Sequence, residues 1–583
     1  MPGRAPFRAD HGGGSRVSLR RAATYASGWP ATALVALLAC APVLRAVSRA
    51  LSDGWQPVAD RAIIATRAYD VLSTHMPLVG QYSFASELTG HPTYSLGPML
   101  YWLLAPAAHL GSPGSLILTM AALNSASIVL AVALARRRGG VWLMLATAAV
   151  IALLCRSLTA ADFYDIWNPA AGLFPLLALA FVSWSVACGE IRLAPLGALL
   201  VSYCAQCHDA FAALSFGLLV VAAAGLVLSR RPRFAGSARA GAGARPLPWL
   251  AAAGVVLVIC WTPTVLDQVA GGGNLGHLLD AASTSRPRLG WVTGLHAVAH
   301  TVGWRPWWLT TVASPWSRKF EVHGGIGAGA AVSTALLVAW LAFACAAGLW
   351  RRRLDVAAGT ACALALCVGT AALTASTPTG RILGGTLAYT LWTASIAGAF
   401  VWLIAAWSAA VLAAVALRAA RHGAPLLRAW RLALKAAVLG AAGVALAFAG
   451  LAREQRDEHR FEFAAIERLN VGLAAIPRGS VVNLAARLDG IVTPLRPELT
   501  YALRRHGVRA LGTGAYLRLG HFYELGGRRV DYVLWLYDRA PPPLPGGRVI
   551  ATAPLLAGGR QRTLGLLLAP APHRAGRARS RRD

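Results

Sequence analysis

Lysine is almost missing from this sequence: two, Lys319 and Lys435, stand among 583 residues. Neither follows a Gly-rich phosphate loop, which argues against an ATP-driven pump. Charge of any kind is scarce, at 14% of residues against 56% hydrophobic, and a soluble chain of this length could not cover its surface so. Methionines number only five, so a haem bound through Cys204-Ala205-Gln206-Cys207-His208 would need a histidine as distal ligand. His-Glu-x-x-His and Gly-x-Ser-x-Gly patterns do not stand out, which leaves zinc peptidase and serine-elbow chemistry without a motif. The nine cysteines form no evenly spaced framework, and Cys155, Cys188, Cys260 and Cys345 lie inside apolar runs. They read as small buried hydrophobes, and no disulfide is assigned.

Long apolar stretches are what the chain does have. Its mean hydropathy is +0.53, and runs long enough to span hydrocarbon recur from Ala31 to about Leu451. The net charge of +31 would suit nucleic acid. The arginines, however, sit between apolar runs and in the tails, which is the pattern of membrane topology and anionic-lipid contact, so no nucleic-acid partner is expected. At the N-terminus Arg16, Arg20 and Arg21 precede an apolar run containing Leu37-Leu38-Ala39-Cys40, and an uncleaved first helix accounts for this signal-like pattern.

Candidate spans fall near 31–48, 95–110, 115–135, 140–156, 170–188, 193–207, 209–229, 248–266, 329–350, 355–374, 389–417 and 433–451. If all twelve crossed, Arg136 to Arg138 and every later basic loop would lie outside. The run 95–110 is short, begins Gly97-Pro98, contains Pro106 and ends in a Gly-Ser-Pro-Gly loop, so it is read as a juxtamembrane or re-entrant helix. Eleven spans then place the N-terminus, Arg136 to Arg138, Arg192, Arg230 to Arg245, Arg351 to Arg353 and Arg418 to Arg431 inside together. The expected organisation is a cytoplasmic basic tail (1–29) and a transmembrane domain (30–451) with external loops 49–114 and 267–328. An extracytoplasmic α/β domain (452–570) and a disordered basic tail (571–583) follow. Within 452–570 the pattern predicts a charged helix from about Glu454 to Leu473 and a strand at Ser480 to Leu484. A second helix from Thr493-Pro494 to His506-Gly507 comes next, then strands at Val530 to Tyr537 and Arg548 to Ala553.

Polar residues of chemical interest gather in the external segments. Pro57 favours a helix start that puts Asp60 in the first turn, with Arg67 seven residues on along the same face. Asp60 either complements the helix dipole or acts as a base beside a phosphate-binding cation. Gly90-His91-Pro92 leads to Gly97-Pro98-Met99-Leu100-Tyr101, which reads as an interfacial aromatic belt or as the lining of a lipid-substrate pocket. Asp162-Phe163-Tyr164-Asp165-Ile166-Trp167-Asn168-Pro169 ends one span with two carboxylates and an amide, either a solvated cap or a site. Gln206, His208 and Asp209 are better read as lining an external cavity than as a haem site, because the motif sits between apolar runs.

The order of these pieces resembles the GT-C superfamily of membrane glycosyltransferases. The branch is that of the protein O-mannosyltransferases and lipid A aminoarabinose transferases, among its actinobacterial members. The features are a long first external loop with an early Asp, a His-Pro…Gly-Pro-x-x-Tyr helix, a basic turn and an Asp-x-Trp-Asn-Pro loop. Trp261-Thr262-Pro263-Thr264-Val265-Leu266-Asp267-Gln268 and a short external loop with Arg381 add to it, and the resemblance spans roughly 30 to 450. It implies transfer of a sugar from a polyprenyl-phosphate donor to a glycan, lipid or protein acceptor outside the plasma membrane. Asp60 would then be the catalytic carboxylate and Asp165 a second acid. Arg67 and Arg381 would hold the lipid phosphate, and His91 stands near the position of a Lys-Pro motif in relatives. Tyr101, Asn168, His208, Asp267 and Gln268 would line the substrate site. Some relatives use a divalent cation, although no ligand cluster is apparent here. The sequence departs from the family where Arg61 follows Asp60 in place of a second acid, which puts Arg61 beside the substrate. A lipid or glycan transporter and a non-catalytic glycolipid-binding protein are the alternatives. A transporter would need charges deep within its spans, and these are nearly charge-free.

Overall fold

A computed structural model describes residues 29–83, 85–234, 245–284, 287–310, 325–379, 391–419, 423–450, 457–487, 495–557 and 560–572. Helices dominate. In chain order they are α1 (Trp29–Ser52), α2 (Asp60–Asp70), α3 (Met99–Ala108), α4 (Gly114–Ser157), α5 (Leu173–Ala187), α6 (Ala194–Cys207), α7 (Ala212–Ser229) and α8 (Pro246–Ala270). Next come α9 (Asn274–Ser283), α10 (Gly290–Val302), α11 (Ala328–Trp350), α12 (Leu354–Ser376), α13 (Trp392–Ala419) and α14 (Gly423–Gly450). Among the described residues eight helices are long and apolar enough to cross a membrane, and the chain is a multi-pass helical membrane protein. The run expected near 95–110 is the ten-residue α3, about 15 Å long and too short to span.

One of the eight is double. α4 has 44 residues, but Gly140 inside it takes φ 73° and ψ −162°, which breaks the helix into two arms. Asn124 of the first arm donates to the Phe163 carbonyl at 2.9 Å, just beyond the end of the second arm. Residues so far apart along a straight helix could not meet, so the arms run antiparallel about the Arg136-Arg137-Arg138-Gly139-Gly140 turn. α5 is the buried centre of the bundle, hydrophobic on every side, with Phe174, Phe181 and Trp184 fully enclosed.

The two ends of the bundle differ in chemistry. At one end Arg137 reaches Glu190 at 2.9 Å and Arg138 pairs with the same carboxylate. Trp184 donates to the Asp355 carbonyl at 2.8 Å, and Arg353 pairs with Asp355, so three basic turns meet there. The other end carries α2, the 161–168 segment, His208, Thr377 and the C-terminal region. α10, within the expected external loop 267–328, packs on α12 and leaves Trp291, Val292 and Leu295 exposed.

The C-terminal region forms a small α/β unit. α15 (Arg460–Gly472) precedes β3 (Val481–Arg487), α16 (Arg496–Arg505), β4 (Arg509–Leu511), β5 (Tyr532–Tyr537), β6 (Arg548–Ala557) and β7 (Arg560–Pro570). In the first loop β1 (Tyr82–Ser83) and β2 (Thr93–Tyr94) form a small antiparallel ladder of their own. The sheet order is β4-β3-β5-β7-β6, with β3 parallel to both β4 and β5 and the β5, β7 and β6 pairings antiparallel. Sequence patterning finds α15, α16, β3, β5 and β6 but misses β4 and β7. β4 has only three residues, and β7 lies inside the sheet with Leu564, Leu566, Leu567, Leu568 and Ala569 all buried, which erases the alternation that marks a half-exposed strand. Of the expected basic tails, 1–29 and 571–583, residues 1–28 and 573–583 lie outside the described residues.

Candidate functional site

α2 begins at Asp60, where Pro57 and the acidic first turn place it. The residue before it is strained: Ala59 takes φ 53° and ψ −120°. Its N–H donates to Glu498 Oε1 of α16 at 2.7 Å, so a side chain from the C-terminal unit fixes the entry into α2. Asp60 opens on a cavity of about 190 Å³ lined also by Tyr82, Asn168, His208, Asp209 and Thr377. Ser83 donates to Asp209 Oδ2 at 3.1 Å, and Tyr101 donates to Gln81, another lining residue, at 3.2 Å. Carboxylates, an amide, an imidazole and hydroxyls thus face one space, a set suited to binding a sugar and taking a proton from a hydroxyl.

Of the residues expected at the site, Asp60, Asn168 and His208 reach this cavity, and Tyr101 stands behind it through Gln81. Asp165 and Arg61 turn to each other instead. The guanidinium meets both carboxylate oxygens, with Arg61 Nη2 to Asp165 Oδ2 at 2.6 Å and Nε to Oδ1 at 2.9 Å. Both are buried, and Arg61 stacks over the Trp167 ring at 5.7 Å. Burial opposes the charged guanidinium, yet Asp165 more than offsets it and holds the Arg61 pKa above its usual value. Asp165 is therefore paired with a buried cation.

His91 is exposed and stacks on His277 at 5.1 Å, away from the cavity. Asp267 accepts the N–H groups of Gly272 at 3.2 Å and Asn274 at 2.9 Å, and Gln268 accepts that of Gly276 at 2.9 Å. These two side chains hold the glycine turn into α9. Arg381 lies outside the described residues. Gln206, also expected at the cavity, donates to the Cys260 carbonyl at 2.9 Å within the bundle. Cys204 and Cys207 are buried in α6, where a porphyrin has no access. Among the described residues no three His, Cys, Asp or Glu side chains converge on one point.

The C-terminal unit supplies side chains that no local pattern announces. The helical turn Tyr516–Leu519 lies on α2: Arg518 Nη1 meets Asp60 Oδ1 at 3.0 Å and Arg67 donates to the Leu519 carbonyl at 2.7 Å. Ile63 packs on Leu519 and Tyr523 between them. At the far end Asp70, wholly buried, receives hydrogen bonds from Tyr523 at 2.8 Å and Arg504 at 3.0 Å and lies 2.9 Å from His75 Nε2. Positions 60, 63, 67 and 70 form one helical stripe covered by the C-terminal unit. Within it Glu498 is pushed up to about 7 by burial, which outweighs the hydrogen bond from Ala59. Its Oε2 has no hydrogen-bond partner among the described residues.

No family model matches the chain, and no curated protein matches it. Among solved structures, that of ArnT from Cupriavidus metallidurans in the apo state aligns over 90% of this chain and 97% of that chain, at 15% identity and a TM-score of 0.42. A likeness so loose assigns neither activity nor residue roles.

Proposed function

We propose that this protein transfers a sugar from a polyprenyl-phosphate donor to a cell-envelope acceptor at the extracytoplasmic face of the plasma membrane, as the GT-C resemblance of its sequence implies. The observation that carries the reading is the polar cavity with Asp60 at its rim, on the bundle end opposite the basic turns. In this reading those turns face the cytoplasm with the N-terminus, and the C-terminal unit lies outside. Both arms of α4, with α6 and α14, bring the passes to eleven, and the domain limits are those expected from the sequence. Asp60 accepts the proton of the acceptor hydroxyl as its oxygen attacks the anomeric carbon, and the bond from that carbon to the phosphate oxygen breaks. Polyprenyl phosphate leaves, its growing charge met by Arg381, while Arg67, held on the Leu519 carbonyl, stands outside the cavity. The single displacement inverts the anomeric centre. An apolar groove of about 740 Å³ between the second arm of α4, α13 and α14, walled by Trp308 and Trp402, has the chemistry a polyprenyl chain needs.

The test supplies the purified full chain with radiolabelled polyprenyl-phosphate sugars and envelope extract, comparing the wild type with Asp60→Ala. Transfer lost in Asp60→Ala supports the site, whereas unchanged turnover refutes it. Absence of transfer from every donor favours a flippase or a non-catalytic glycolipid binder.

A further inference from the structure

A second cavity, of about 150 Å³, is lined by Ile63 of α2 and lies at the carboxyl end of β4, beside β3 and the start of α16. Open parallel sheets bind ligands at this edge, because the connections diverge there and leave a crevice. The polar side chains of its lining are Arg496, Thr500, Thr513, Arg518 and Tyr523, whose hydroxyl is given to Asp70, and no Asp or Glu side chain lines it. Arg496 stands at the first position of α16 and makes one long hydrogen bond, 3.4 Å to the Ala486 carbonyl. The peptide N–H groups of the α16 first turn add positive potential on the same side. Two guanidinium groups and two hydroxyls make a recognition set for a small anion, with Asp60, paired to Arg518, as the carboxylate that the anion must displace.

Arg518 joins this cavity to the candidate active site. It lines the second cavity while its Nη1 is 3.0 Å from Asp60, which lines the first, and its guanidinium lies 5.8 Å over the Tyr82 ring. While this pair holds, Asp60 Oδ1 is engaged by a guanidinium and is not open to an acceptor hydroxyl. We propose that the second cavity binds the phosphate or carboxylate group of an anionic saccharide, and that the bound anion competes with Asp60 for Arg518. The binding stands on the cavity alone. Its consequence, that an acidic saccharide releases Asp60 for proton transfer, rests on the reading of Asp60 as the base. The second cavity then makes acidic saccharides preferred acceptors over neutral ones.

Binding is measured by calorimetry on the full chain in phosphatidylcholine nanodiscs, with glucose 1-phosphate, glucuronate and glucose as probes. The expected result is saturable binding of either acidic probe and none of glucose. Arg496→Gln should weaken binding by roughly tenfold or more, as loss of a charge-assisted contact does. Arg548→Gln, on the far edge strand β6, should leave it unchanged. Asp60→Asn should tighten binding by about two- to fivefold, because it removes a carboxylate that holds Arg518 at a largely exposed pair. Equal binding to the wild type and Arg496→Gln, or no binding, overturns the site. Unchanged affinity in Asp60→Asn overturns the competition. Displacement of the probes by phosphatidylglycerol in the disc assigns the cavity to lipid headgroups and overturns the saccharide. None of these readouts is transfer, so a chain without transferase activity fails the earlier test and still decides this one.

Discussion

Replacing Glu498 by glutamine should abolish a pH dependence that the wild-type chain carries in its C-terminal unit. The carboxyl is buried at 2% exposure and accepts the strained Ala59 N–H, with Glu462 and His459 as its charged neighbours. Burial lifts its pKa from 4.5 to about 7, so the folded state prefers the neutral acid. A raised carboxyl pKa stabilises the fold fully below about pH 4.5, and that contribution is lost as the pH rises through about 7. Linkage then removes about 1.4 kcal/mol between about pH 6 and pH 9, and about 3 kcal/mol over the whole range from pH 4.5. Glutamine keeps the oxygen that accepts from Ala59 and cannot ionise. His75 and His459 titrate in both chains, so the difference between them isolates position 498. The assay is thermal unfolding of the full chain in detergent from about pH 5 to pH 9, followed by tryptophan fluorescence. Glu498→Gln should gain on the wild type by about 2 kcal/mol as the pH rises from about 5 to 7 and level off above about pH 8. Parallel curves for the two chains would refute the argument that burial governs this carboxyl.

Two further outcomes follow from the buried charges. Asp165→Ala leaves the Arg61 guanidinium buried without its partner and should cost roughly 3–5 kcal/mol; the unfolding midpoint should fall, and Arg61→Met combined with Asp165→Leu should recover most of it. Asp70→Ala strips Tyr523 and Arg504 of their acceptor between α2 and the C-terminal unit, so limited trypsin digestion should cleave that unit faster than in the wild type while the bundle stays intact.

The helices were legible because their determinants are local. Long apolar runs between arginines are a property of composition, and lipid demands that each run satisfy its own backbone hydrogen bonds. Even the exclusion of 95–110 followed from Gly97 and Pro98 just before α3 and Pro106 inside it, and the two arms of α4 were expected as separate spans joined at Arg136 to Arg138. Asp60 at the start of α2 was equally readable, since a proline and an acidic first turn mark a helix N-terminus. Asp267 and Gln268 show the limit. Their residue types suit a sugar site, but the adjacent glycine turn leaves N–H groups open, and the nearest acceptors satisfy them.

By itself, then, the sequence determined a multi-pass helical protein with a small α/β unit after the bundle, and a set of polar residues in its loops. Which of those residues meet was decided by the tertiary structure. Asp60 and Asp165 look alike in the chain, two carboxylates near span ends. Folding hands Asp165 to Arg61, 104 residues away, and leaves Asp60 at a cavity where Arg518 reaches it across 458 residues. Pairings over such separations depend on how helices and sheet pack, and no periodicity or spacing encodes them. The chemistry of a carboxylate follows from its neighbours, so the candidate site could be assembled only in three dimensions.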